Sequence, residues 1–158
     1  MKISDKLSIA YQDLLVPTGY QQYKLGEVYC DSATGNTYIY TKQIVVVTSQ
    51  KGWALWIGKN FDVQFDTALF YNQTVGVGLS DILQNQYAWV QIKGTVKAQV
   101  IGTGTANQYV WHRLEGDGLF EARDSRVEAM GYLVSDKTTA GTELVDICLF
   151  GTLRKTIP

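Results

Sequence analysis

Residues 88–101, AWVQIKGTVKAQVI, constrain this chain more than any other segment. Ala88, Val90 and Ile92 share one parity, and Trp89, Gln91 and Lys93 share the other. Beyond Gly94 the alternation resumes, with Val96, Ala98 and Val100 apolar and Thr95, Lys97 and Gln99 polar. A period of two marks a strand with one buried face. Gly94 reads as the turn of an antiparallel hairpin. A two-residue loop would set Ile92 opposite Thr95. A three-residue loop, Lys93-Gly94-Thr95, pairs Ile92 with Val96, Val90 with Ala98 and Ala88 with Val100, so buried positions face buried ones. Glycine there supplies the positive φ such a loop needs. Neither arm presents a reactive group.

Similar units recur along the chain. Residues 25–30 and 37–41 flank DSATGN, a turn built of Asp, Ser, Gly and Asn, and predict a second hairpin. Val45, Val46 and Val47 form a β-branched run that reads as a strand covered on both faces. Trp53, Leu55 and Ile57 alternate with Ala54 and Trp56; Phe61, Val63 and Phe65 alternate with Asp62, Gln64 and Asp66. Ser80 caps a predicted helical turn reaching Gln84. Further strands are expected over residues 109–114, 119–122, 130–134 and 144–150. Strands of about five residues at intervals of about ten, with no long helix, predict an all-β protein: an antiparallel β-sandwich or barrel. Residues 1–22 differ. Ile3, Leu7, Ala10 and Leu14 are spaced loosely as in a helix, but Pro17 and Gly19 end it. They read as an N-terminal arm or short helix ahead of a single antiparallel β domain over residues 23–158.

Composition narrows the function classes. With 158 residues, 46% hydrophobic and 18% charged, the chain fits one globular domain, or one domain with an arm. A net charge of -1 makes no electrostatic case for nucleic acid or an anionic membrane. No apolar run approaches the roughly 20 residues of a membrane span. The N-terminus, MKISDKLSIAYQDLLVP, is too polar for a secretion signal, so synthesis in the cytoplasm is expected. Cys30 and Cys148 sit in apolar, strand-like contexts and read as reduced, buried thiols.

The candidate sites are thin. His112 is the single histidine; no flanking motif makes it the centre of a triad or metal site, and a packed or surface histidine is expected. Asp62 and Asp66 share a strand face as paired carboxylates might, but read as solvated outward positions. Glu115, Asp117, Glu121 and Asp124, mixed with Arg113, Arg123 and Arg126, read as ion pairs of an exposed loop in preference to a cation site. DSATGN opens like a calcium loop, but Ala33, Gly35 and Lys42 occupy its third, fifth and twelfth positions. Gly102-Thr103-Gly104 runs on to Asn107 and strand-like Tyr109-Val110-Trp111, with no helix to hold a pyrophosphate. Asn72-Gln73-Thr74 matches a glycosylation sequon by chance. No catalytic residue, cofactor or metal is expected.

The aromatic residues are the remaining resource. Trp53, Trp56, Trp89 and Trp111, with Tyr20, Tyr23, Tyr38 and Tyr40, suit a sugar-binding or base-stacking face. Trp89 lies opposite the Val90 and Ile92 face. It is exposed, covered by a second layer, or buried against a neighbouring subunit.

Three segments carry a resemblance: YKLGEVYCDSATGNTYIYTK, QNQYAWVQIKGTVKAQVIGTG and AMGYLVSDKTTAGTELVDICL. Together they span about 60 residues and resemble, in the same order, small structural proteins of tailed-bacteriophage virions, in particular capsid decoration (cement) proteins. This chain is longer than the smallest of those, with a more tyrosine-rich start. The resemblance implies a non-enzymatic virion component on the outer surface of the head, stabilising the shell by binding the major capsid protein between capsomers. It also implies a homo-oligomer, with a trimer among the assemblies such proteins adopt, and neither nucleic acid nor membrane as partner. The expected contacts are Leu14, Leu15, Val16 and Tyr20 of the arm, ordering on the shell, together with Trp89. A carbohydrate-binding or fibre-type module of the virion is the alternative.

Overall fold

The computed structural model describes residues 9–65, 74–113, 117–126 and 129–151. Its regular elements, in chain order, are a one-turn helix α1 (Tyr11–Leu14) and ten strands. These are β1 (Val28–Cys30), β2 (Thr37–Gln43), β3 (Ala54–Ile57), β4 (Asp62–Gln64), β5 (Thr74–Gly78), β6 (Tyr87–Ile101), β7 (Tyr109–His112), β8 (Phe120–Arg123), β9 (Gly131–Leu133) and β10 (Glu143–Phe150). All ten belong to one mostly antiparallel sheet. The all-β expectation holds.

The central hairpin does not form. β6 is a single strand of 15 residues that passes through Gly94 without reversing. The reason lies in parity: positions 88 to 100 keep one alternation across Gly94, which a continuing strand satisfies as well as an odd-length loop does. Other strands take the partners the hairpin would have used. β10 sets Ile147 against Val96, Val145 against Ala98 and Glu143 against Val100, while β2 sets Ile39 against Val90. Gly94 does adopt a positive φ, +89°, within a strand. The amide of Gln91, 2% exposed, spans the site: its Nε2 donates to the carbonyls of Lys93 at 3.1 Å and Thr95 at 3.0 Å.

The pairings close the sheet on itself twice. β2, β4, β3, β5 and β6 pair in succession, and β6 pairs back to β2. β6, β10, β9, β7 and β8 do the same, with β8 returning to β6. Two barrel-like rings therefore share β6, and Lys93 is paired on both sides, to Thr37 and to Phe150. Each closure includes one short parallel pairing, β2 with β4 and β6 with β8. The first ring encloses Ile39, Leu55, Ile57, Val63, Ala88, Val90 and Ile92. The second encloses Val96, Ala98, Val100, Val110, Phe120, Leu133, Ile147 and Leu149, packed in one cluster with Ala54, Trp56, Val75 and Val77 of the first. Hence β3 and β5 are buried on both faces, and the rings are joined by side chains as well as by backbone.

Two local expectations are corrected, and one strand is added. Residues 45–47 form a loop; Val46 is 78% and Val47 59% exposed. After Gln43 the ladder partners of β2 run out, and β-branched propensity without a neighbouring strand builds nothing. Residues 80–84 are not helical. Ile82 forms an antiparallel bridge with Ser49 instead, and Ile82 is fully buried, a tertiary contact that outweighs a weak capping signal. β5 was not foreseen, because Gly76 and Gly78 interrupt its apolar pattern. Gly76 is needed there, since a Cβ would strike the side chain of Val90 and lie 3.0 Å from the Gln91 carbonyl oxygen.

Gly94→Ala tests the continuous strand. It forces alanine to a φ of +89° and brings its Cβ against the Asn36 side chain, 3.2 Å from Asn36 Cα. A stability loss of about 1–3 kcal/mol is expected, read as a lower urea midpoint at unchanged m-value.

Candidate functional site

The first ring has an aromatic outer face. β2 and β6 alternate, so while Ile39 and Val90 point inward, Tyr38, Tyr40 and Trp89 point outward, joined by Tyr29 and Tyr87. Such a face cannot stay in water without a large loss of hydrophobic stabilisation. Residues 9–25 cover it: Ile9, Leu14, Tyr23 and Leu25 pack on the rings. Thr18 and Tyr87 exchange backbone hydrogen bonds of 2.9 and 2.8 Å, and the phenol oxygen of Tyr40 accepts from the Gln22 N–H at 3.1 Å. The Trp89 ring lies 5.1 Å from Tyr23 and 5.1 Å from Tyr40, tilted against both.

This arrangement sorts the five expected contact residues. Trp89, 2% exposed, and Leu14, 4% exposed, are spent inside the chain, and Leu15 is half-buried. Val16 and Tyr20 stand in solvent at 62% and 67%. The arm from Ile9 onward therefore lies on its own domain, because the aromatic face beneath needs covering. Residues 1–8 lie outside the described residues. Of the three alternatives for Trp89, the second layer is realised, and the chain supplies it.

Between the arm and the two rings lies a cleft of about 300 Å³, lined by Tyr11 and Leu15 of the arm, Gln91 and Lys97 of β6, and Asp146 of β10, among others. Lys97 Nζ and Asp146 Oδ2 are 3.3 Å apart with both side chains largely in water, worth at most about 1 kcal/mol. The cleft brings no nucleophile against a base.

His112 lies on the inward face of β7, 4% exposed, with its ring edge-on to Trp56 at 4.9 Å. Neither ring nitrogen has a hydrogen-bond partner among the described residues. Burial pushes its pKa down to about 4, against an opposing pull from Asp117; the ring is a neutral packing element. Several neighbouring charged groups have partners. Arg113 meets Asp117 at 2.8 Å, Arg123 meets Glu121, and Asp124 accepts from Gln108 Nε2 at 2.8 Å. Arg123 also lies over the Trp111 ring at 5.4 Å. Glu115 is outside the described residues, and so is Asp66, which leaves Asp62 half-buried without its supposed partner in view.

Among the described residues no three His, Cys, Asp or Glu side chains converge as a metal site, and no helix is long and apolar enough to cross a membrane. The DSATGN turn uses its carboxylate internally: Asp31 accepts from the Ala33 N–H at 3.0 Å and the Thr34 hydroxyl at 2.7 Å, which holds its pKa below the usual carboxylate range. Both cysteines are free, but Cys30 is exposed at the end of β1, not buried, and Cys148 is half-buried. Asn72 and Gln73 of the sequon fall outside the described residues.

The sequence missed the exposed apolar pair Val46 and Val47 of the loop after β2. A β-branched run carries the same letters whether it is core or tip, so no local signal separated the two.

No family model and no curated protein matches this chain. Among solved structures, the head fiber gp8.5 N base of bacteriophage phi29 is similar, with a TM-score of 0.50 and 9% identity, over 75% of this chain and 97% of that one. At that identity the likeness is one of fold.

Two substitutions test these assignments. Trp89→Ala removes the centre of the aromatic layer and is expected to lower stability by about 3–5 kcal/mol in urea unfolding. His112→Phe keeps an edge-on ring. Between pH 6.5 and about 4 the unfolded histidine binds a proton that the folded one does not, so wild-type stability falls as pH falls through that window. The variant is expected to gain on wild type by up to about 3 kcal/mol over the window; parallel stability curves would contradict the assignment.

Proposed function

We propose that this chain is a structural component of a tailed-bacteriophage virion, carried on the outside of the head, whose work is adhesion and not catalysis. The observation that supports this most is the likeness of fold to the N base of a phage head fiber, spanning 97% of that chain. The disposition of chemical groups supports it too. The histidine is buried and neutral, and Arg113 pairs with Asp117 and Arg123 with Glu121.

In this reading a rigid β module docks on the major capsid protein between capsomers. Binding only the assembled shell stabilises that state by an amount that grows with the logarithm of the protein's free concentration relative to its Kd, and a homo-oligomer multiplies the effect by placing several contacts at one symmetry point. Of the expected contact residues, Val16 and Tyr20 remain exposed for such a contact. The glycan-binding alternative loses its chosen anchor, since Trp89 is covered by Tyr23 and Tyr40.

The test uses heads of the encoding phage prepared without this protein. Added purified chain is expected to bind them saturably and to raise the temperature at which they release DNA. Absence of binding would overturn the proposal.

A further inference from the structure

The loop after β2 and the loop before β6 stand side by side and form an apolar tip. Ser49 and Ile82 exchange backbone hydrogen bonds of 3.0 and 2.8 Å, and the Asn85 N–H donates to the Gln43 carbonyl at 2.9 Å. Above this base stand Val46 at 78% exposure, Val47 at 59%, Leu83 at 52% and Ile44 at 40%. Residues 43–50 and 82–86 contain no charged side chain. In sequence the flanking charges are Lys42, Lys51 and Asp81, at the loop bases: Lys42 lies over the Tyr87 ring at 5.4 Å, and Asp81 accepts from the Lys51 N–H at 2.7 Å.

The tip is held in shape. Gln43, fully buried, donates through Nε2 to the Val47 carbonyl at 3.2 Å, and Gln84 Nε2 reaches the Ile44 carbonyl at 3.4 Å. Directly beneath, Gln43 Oε1 and Ser49 Oγ are buried with no hydrogen-bond partner among the described residues. Exposed aliphatic side chains and unsatisfied buried polar atoms are both destabilising, and here they coincide. Costs concentrated at one place mark a site selected for something other than stability.

We propose that this tip is the foot by which the protein docks, inserting Val46 and Val47 into an uncharged, aliphatic-lined pocket on the protein shell of the particle; the inference rests on the virion reading above. Valine side chains have little rotamer freedom to lose on insertion, and a neutral tip calls for a neutral socket. A lipid surface fits less well, because interfacial segments carry Trp or Tyr with Lys or Arg toward the headgroups, and the tip has neither. A second copy also fits less well. The waist cleft is lined by Lys51, Lys97 and Asp146, a poor match for an uncharged knob. Tip against tip buries a patch on the order of a few hundred Å², below the roughly 800 Å² per partner of a stable interface.

The experiment compares the full chain with Val46→Asp/Val47→Asp, the near-isosteric Val46→Thr/Val47→Thr, and Val134→Asp, an exposed position after β9. Binding is measured to heads lacking the protein, flotation with phosphatidylcholine and phosphatidylglycerol vesicles, and mass by sedimentation. The aspartate pair is expected to weaken head binding at least tenfold at unchanged Tm and circular dichroism, the threonine pair to weaken it less, and Val134→Asp to leave it intact. Should the aspartate pair fail to fold, the threonine pair carries the comparison. Wild-type binding that ignores both valine pairs overturns this inference alone. Tip-dependent flotation or tip-dependent self-association without an effect on heads overturns it in favour of a membrane or a second copy. Wild type that does not bind heads overturns both this inference and the virion reading.

Discussion

The backbone of β6 is hydrogen-bonded into two rings at once, and the remaining architecture follows from that sharing. Its first half supplies Ala88, Val90 and Ile92 to one interior, its second half Val96, Ala98 and Val100 to the other. A strand used this way must keep one parity over its whole length, and the alternation runs unbroken past Gly94 at its positive φ. The buried Gln91 amide secures this point, engaging the carbonyls of Lys93 and Thr95 on either side of Gly94. Contacts between Trp56 and His112, and between β3, β5 and the second interior, then make the rings interdependent.

The same economy governs the aromatic residues. A closed ring has an outside, and where β2 and β6 carry Tyr38, Tyr40 and Trp89 that outside is apolar. Residues 9–25 turn it into a second, smaller core, so the ring-bearing side chains become cohesion within the chain in place of a binding platform. Among the described residues, the apolar side chains left in water include aliphatic Val46, Val47 and Leu83 at one end, and Tyr11, Val16 and Tyr20 on the arm.

Much of this was legible in the residues. The alternation of 88–100, the DSATGN turn with its β1–β2 hairpin, β3, β4 and the four strands after Gly104 were readable because each buries one or both faces at period two. The hairpin at Gly94 failed for a physical reason, since an odd loop and no loop impose the same parity and only long-range pairing with β10 tells them apart. β5 was hidden because Gly76 and Gly78 carry no side chain to alternate. Val45 to Val47 misled in the opposite direction, because propensity does not say whether a neighbouring strand exists. For the site, sequence left His112 as a packed or surface histidine, and the structure makes it a packed one; of the loop charges, Arg113–Asp117 and Arg123–Glu121 form ion pairs, while Glu115 and Asp66 lie outside the described residues. It could not place Trp89, whose cover comes from a segment more than sixty positions away.

The central claim is that the two rings stand or fall together through β6. Native-state hydrogen exchange of its amides addresses this most directly. If the strand is one shared element, the slowest amides of residues 87–92 and of 95–100 open with the same free energy, equal to that of global unfolding. If one half exchanges through a separate opening, cheaper by more than about 1–2 kcal/mol while the other stays protected, the rings are independent and the account is wrong.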